Sequence, residues 1–220
     1  MMMKRILRAP DAYPLALLLA FVGGYLDAYT YITRDGVFAN AQTGNMALMA
    51  LRLARGEWAD ALHYLVAIGA FGLGIFGVRE ARYHMRKKGR SYHKIALAAE
   101  ILILVWVSFI PQGAMNPLAN VLVSLVCALQ VGAFKTIGGQ AYASTMCTGN
   151  LRSATEHLHD YLRSKNPAAL TRSMQYFGVI LIFILGALLG GLITPPLGTH
   201  STLICCAALL IALIVVKNPS

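Results

Sequence analysis

Of the 220 residues, 57% are hydrophobic and only 13% are charged, with a formal net charge of +10. Soluble domains carry about 25% charged residues, so these side chains could not cover a water-facing surface. The composition excludes a soluble enzyme, a secreted disulfide scaffold and a disordered chain, and predicts an integral membrane protein. The four cysteines (Cys127, Cys147, Cys205, Cys206) show neither a CxxC pair nor metal-ligand spacing, and read as small packing residues.

The chain opens MMMKRILR ahead of an apolar run, in the manner of a signal peptide. The apolar pattern runs past a usual h-region to Ile32 with no clean A-x-A site, which favours a retained first span over about 13–33. Further runs of spanning length follow over about 59–79, 94–112, 117–136, 169–193 and 199–217. Pro14, Pro117 and Pro167 stand where first-turn prolines belong. Two segments between these runs are different. Residues 36–51 (GVFANAQTGNMALMAL) and 136–151 (TIGGQAYASTMCTGNL) are short, and rich in Gly, Asn, Gln and Thr. As helices they reach only about 24 Å, against about 30 Å of hydrocarbon. They are predicted to re-enter the membrane.

Positive charge chooses between spanning and re-entry, because Lys and Arg collect on the cytoplasmic side. With six spans, two re-entrant segments and both termini cytoplasmic, only Arg34, Arg52 and Arg55 of the 19 Lys and Arg face outside. With eight spans the charges divide almost evenly. The six-span arrangement is therefore expected. The basic run REARYHMRKKGRSYHK becomes a cytoplasmic loop at the lipid surface, with no nucleic-acid partner.

The two halves repeat each other. Thr43-Gly44-Asn45 aligns with Thr148-Gly149-Asn150, Gly36 with Gly139, and Asp27 with Gln130. Residues 12–113 and 114–218 then form two repeats of one membrane domain covering 1–220. Each holds three spans and one polar segment; since three is odd, the second repeat lies inverted, as in many transporters and channels.

GYLDAYTYI, VFANAQTGN and GGQAYASTMCTGNLRSATE, together with the two-half layout, resemble the YoaK family of bacterial inner-membrane proteins. The resemblance covers nearly the whole chain. It implies a multi-helix inner-membrane protein and assigns no catalytic residues.

Function is argued from the polar residues. Thr43 and Thr148 are suited to cap helices that start at mid-depth, with their N-termini facing a shared cavity. Asn40, Gln42, Asn45, Gln140 and Asn150 supply amides for broken backbone or for a solute, and Gly44 and Gly149 permit close backbone approach. Asp27, opposed in the repeat by neutral Gln130, reads as a proton site, cation ligand or gate, or else as an interfacial residue in a tyrosine belt. Glu100 reads as a partner to cytoplasmic arginines or to a neighbouring helix, and Lys135 as an inside anchor. Glu156, His157, His159 and Asp160 lack a metal-binding signature, and residues 156, 159, 160 and 163 form a solvated stripe on a helix. The glycines at 69, 72, 74, 77, 186, 190 and 191 are packing faces.

The expectation is an all-α membrane transporter or channel for a small polar or anionic solute, with protons as a coupling candidate. No metal or other cofactor is expected, and a homo-oligomer is compatible with the composition. A membrane-embedded enzyme would need a nucleophile–base pair or metal cluster, which the sequence lacks. A non-transporting scaffold or sensor would call for extramembrane domains.

Overall fold

The computed structural model describes residues 12–87, 92–137, 140–142 and 144–216, with no side-chain description at 86, 87, 137 and 140. It is all-α. The first helix, α1, spans Tyr13–Thr33 and carries its proline in the first turn, as the sequence predicted. Left-handed backbone at Asp35 (φ 62°) and Gly36 (φ 70°) turns the chain back toward α2, Gln42–Ala54. The next helices are α3 (Trp58–Lys87), α4 (Tyr92–Ser108) and α5 (Asn116–Ala133). A two-residue antiparallel pairing of Thr136 with Ala141 and Ile137 with Gln140 leads to α6, Cys147–Ser164. Then come α7 (Pro167–Leu197), a 3-10 turn over Gly198–Ser201, and α8 (Thr202–Val215).

Among the described residues four helical stretches are long and apolar enough to cross a membrane: Tyr13–Thr33, Trp58–Met85, Asn116–Ala133 and Pro167–Val215. The last contains both α7 and α8. Helix α4 is apolar and has 17 residues, about 25 Å in length. The break expected between the apolar runs 169–193 and 199–217 is present. Pro195 and Pro196 sit inside the last turn of α7, and the chain departs from the helix at Gly198 (φ 55°). Proline gives up its N–H and crowds the carbonyl four residues back, but needs no positive φ; the left-handed turn falls to the glycine.

Large apolar side chains lie on the outside in number. Leu73, Phe76, Leu102, Trp106, Leu181, Leu192 and Ile214 are all more than half exposed. A water-soluble protein does not show so many, whereas lipid is the natural solvent for this surface. Inside, Leu19, Val22 and Leu26 of α1 pack with Leu97 and Leu104 of α4, Val123 and Val126 of α5, and Leu209 of α8.

Helix contacts follow a regular scheme. Helix α1 packs on α7 and α8, and α5 on α3 and α4; α2 lies on α3, α6 on α7, and α4 on α8. The α1–α7 crossing depends on missing side chains. A Cβ at Gly24 would stand 2.0 Å from the Phe183 carbonyl oxygen, and one at Gly186 would stand 2.2 Å from that of Phe21. The two backbones therefore touch at these glycines.

Candidate functional site

Asp27 lies on the face of α1 that the chain covers when it doubles back. It is 6% exposed. Its Oδ1 accepts the Asn40 backbone N–H at 2.8 Å, and the Asn40 side chain donates to the Gly23 carbonyl at 2.8 Å. One turn on, the Thr30 hydroxyl accepts the Ala39 N–H at 3.2 Å and donates to the Leu26 carbonyl at 3.0 Å. The extended segment before α2 is thus held against α1 by side chains that replace missing secondary structure.

Asn45 closes the turn into α2. Its Oδ1 accepts the Phe38 N–H at 2.9 Å, and its amide donates to the Phe38 carbonyl and to Gln42 Oε1. Gln42 in turn donates to the Ala39 carbonyl at 2.8 Å. The second half has a counterpart in Gln130, 2% exposed on α5, which donates to the Leu19 carbonyl at 3.0 Å and to Ser144 Oγ at 2.6 Å. Asp27 and Gln130 each anchor the segment that enters a short helix.

These two entries meet at one cavity of about 730 Å³. Asp27, Gln42 and Thr43 line it from the first half, and Thr145, Cys147, Thr148 and Gly149 from the second. Phe38 and Phe183 contribute apolar wall. Tyr31 also lines the cavity and stacks on Phe38 at 4.8 Å between ring centroids. The first turns of α2 and α6 both open here. The positive ends of two helix dipoles therefore face the space that holds the Asp27 carboxyl.

The sequence-derived candidates separate into two groups. Asp27, Gln42, Thr43, Thr148 and Gly149 share the cavity wall. Asn40, Asn45, Gln130 and Asn150 are buried, and the bonds described for the first three hold the fold. The side chain of Gln140, in the short hairpin, lies outside the described residues, as does Gly139.

Two local expectations are corrected. Thr43 and Thr148 do not cap: the residues preceding the helices are Ala41 and Met146, neither with a side-chain cap, so each Thr-Gly-Asn lies within the first turn. Asn45, reaching back from the first turn to Phe38, supplies the closure expected of Thr43. Nor are Gly44 and Gly149 turn glycines. Neither has positive φ. A Cβ at Gly44 would meet the Phe38 ring at 3.3 Å, and one at Gly149 would meet nothing within 4 Å. Glycine at 149 leaves cavity volume rather than permitting a backbone contact.

The histidine-rich stretch of α6 does not converge. His157 stacks on Tyr176, Glu156 pairs with Arg152 at 2.8 Å, and the exposed His159 and Asp160 lie 3.8 Å from each other. Sequence reasoning missed Arg34, treated there as an outside loop charge. It is fully buried. Its guanidinium donates to Tyr29 Oη at 2.8 Å, Asn116 Oδ1 at 3.0 Å, and the carbonyls of Ile110 at 2.9 Å and Pro111 at 3.0 Å. It satisfies carbonyls of the turn that follows α4 and reaches Val107 in the helix's last turn at 3.5 Å. Only its place directly after an apolar span hinted at this. Glu100 also departs from expectation: it is fully buried, and neither carboxyl oxygen has a hydrogen-bond partner among the described residues.

Four helical stretches long and apolar enough to cross a membrane, with large apolar side chains on the outside, give the chain the character of a helical membrane protein. A family model described as a protein of unknown function (DUF1275) matches residues 15–216, and the chain belongs to that family. No curated protein and no solved structure matches the chain.

Proposed function

We propose that this protein moves a small polar or anionic solute across the bacterial inner membrane through the cavity between the two Thr-Gly-Asn turns. The observation that carries the reading is the convergence of two helix N-termini and one carboxyl on a single space. Its volume falls in the roughly 300–1,000 Å³ range of small-molecule sites. Two positive helix ends attract an anion or a carbonyl oxygen. Asp27 is held against the entry to α2, so the α6 end is the freer of the two.

The membrane arrangement proposed with it has six spans, α1, α3, α4, α5, α7 and α8, with α2 and α6 as re-entrant half-helices. Contacts at the helix ends support this alternation. Arg34 after α1 reaches Pro111 between α4 and α5, and Thr199 before α8 donates to the Ser108 carbonyl at the end of α4. Asp35, Arg52, Asp60 and Gly113 share one surface pocket, which puts the C-terminal part of α2 at the same end. At the opposite end, Arg82 of α3 reaches the Gly132 carbonyl of α5. An eight-span chain would carry Arg52 to the face opposite Asp35.

The helix contacts also support an inverted repeat. Exchanging α1 with α5, α2 with α6, α3 with α7 and α4 with α8 converts α1–α7 into α5–α3, α2–α3 into α6–α7, and α1–α8 into α5–α4, all of which occur. The basic ends of α3 and α6 then face the cytoplasm with both termini. The resemblance to the YoaK family fits this placement.

Cys147 gives a native test, since it lines the cavity while the other three cysteines are buried. In reconstituted vesicles, a small thiol reagent should modify Cys147 and block flux in a counterflow screen of small carboxylates, phosphate and polar metabolites. The transported compound should slow the modification. A modified Cys147 with unchanged flux of every transported compound would overturn the assignment of this cavity.

A further inference from the structure

Helices α3 and α4 follow one another in the chain, yet they scarcely touch, because each packs on α5 instead. Helix α3 is drawn onto α5 where side chains are missing. A Cβ at Gly74 would stand 2.6 Å from that of Ala128, and one at Gly132 would overlap the Val78 side chain. The space left between α3 and α4 is a groove of about 340 Å³, floored by Leu125 and Leu129 of α5. Its walls are apolar and small, with Gly77 and Ala81 on α3 and Ala96 and Ala99 on α4. A Cβ at Gly77 would meet nothing within 4 Å, so this glycine adds open width. From Leu73 to Met85 the groove follows α3 for about 18 Å. One leaflet of a hydrocarbon core about 30 Å thick has a similar depth.

At one end of the groove the surface turns basic. Arg79, Arg82 and Tyr83 of α3 and Lys135, just beyond α5, line a second cleft of about 260 Å³. Arg82 donates to the Gly132 carbonyl at 3.4 Å, which ties this cleft to the end of α5 that lies one turn past the groove floor at Leu129. Between Asp60 and Glu100 the sequence holds seven Lys and Arg against a single acid, Glu80. That acid is turned to His84 at 2.9 Å, and Arg79, Arg82 and Lys135 make no ion pair among the described residues. Tyr92, 7% exposed, lines the groove at the same end, and its hydroxyl has no hydrogen-bond partner among the described residues. Cations without anions therefore stand at the mouth of an apolar slot of one leaflet's depth.

We propose that the α3–α4 groove holds one acyl chain of an anionic phospholipid, whose phosphate is bound by Arg79, Arg82 and Lys135. Arginine forks match phosphate oxygens in pairs, and basic pockets between membrane helices suit anionic headgroups. A zwitterionic lipid carries an ammonium beside its phosphate, which offsets the attraction to the same cations. A second copy of the chain is a poorer occupant. In a pair related by an axis normal to the membrane, its own basic cluster would face this one, and like charges oppose that contact. The groove shares no residue with the cavity at Asp27, so either assignment can fail without the other.

The test adds phosphatidylglycerol or phosphatidylcholine with identical acyl chains to the delipidated full chain in detergent, and counts bound lipids by native mass spectrometry. Wild type should retain one phosphatidylglycerol with a preference of about tenfold over phosphatidylcholine. Arg82→Gln combined with Lys135→Gln should lower that preference to about twofold or less, while Arg163→Gln, on α6 and away from the groove, should leave it unchanged. Gly77→Leu should fill the groove and lower retention of both lipids about tenfold, since the chain loses its burial. Ala99→Leu, from the opposite wall, should do the same and guards against a folding defect in either variant. Inorganic phosphate, which has no chain, should not displace the lipid. Equal retention of the two lipids by wild type, an unchanged preference in the double variant, or displacement by phosphate alone overturns the site. A lipid-free dimer that Gly77→Leu breaks into monomers also overturns it and gives the groove to a second copy.

Discussion

Asp27 and Arg34 stand seven residues apart in sequence and have opposite tasks. Asp27 borders the cavity, accepts the Asn40 backbone N–H, and is the only carboxyl among the described cavity-lining residues. Asp27→Asn preserves shape and removes titration. It should leave the protein folded and flatten the pH dependence of flux between about pH 5 and 8, the interval where a carboxyl in a protein interior can titrate. Flux measured across that interval with an unchanged profile would return Asp27 to a structural role. Arg34 is committed to the fold, since its donors hold Tyr29, Asn116 and the turn after α4. Arg34→Ala should strand those acceptors and lower stability by about 3 kcal/mol or more, read as a fall in melting temperature in detergent. Arg34→Lys should recover little, because one ammonium cannot copy a planar fork with five donors.

At the level of helices, two kinds of glycine make opposite predictions. Gly24 lies where α1 meets the backbone of α7. Gly24→Ala must separate these helices and should cost about 1–3 kcal/mol. Gly149 is helical and faces open volume. Gly149→Ala should be neutral or stabilising by up to about 1 kcal/mol, whereas Gly149→Trp should fill the cavity and stop flux in a protein that still melts normally. Thermal unfolding and flux on the three variants check both. A melting temperature unchanged in Gly24→Ala would refute the backbone crossing.

For the molecule as a whole, the proposed inverted repeat has a consequence for sidedness. The ends of α2 and α6 should lie on opposite faces of the membrane. In a background without native cysteines, Arg55→Cys should react with an impermeant thiol reagent in intact cells, and Lys165→Cys only after permeabilisation. Labelling of both from the same side would refute the inversion. The repeat is also unequal where function needs it to be: Asp27 supplies a carboxyl in one half, while Gln130, its counterpart, donates two neutral hydrogen bonds. That difference gives one face of the cavity a titratable group.

The sequence by itself determined the membrane class, the positions of the apolar helices and the paired Thr-Gly-Asn turns. These depend on hydropathy and on spacing along one stretch of chain, which local physics sets. It also singled out Asp27, because a charge within an apolar run stands out wherever the run folds. Only the tertiary structure decided that both turns open on one cavity, since this depends on how closely α1 and α7 cross at Gly24 and Gly186. It likewise decided the fates of two charged residues that sequence placed wrongly. Apart from the nearby Tyr29 hydroxyl, Arg34 finds its acceptors 73 to 82 residues away, and Glu100 meets none among the described residues. Both outcomes follow from which helix faces come together. Periodicity predicts that a face is buried, but not which atoms will oppose it.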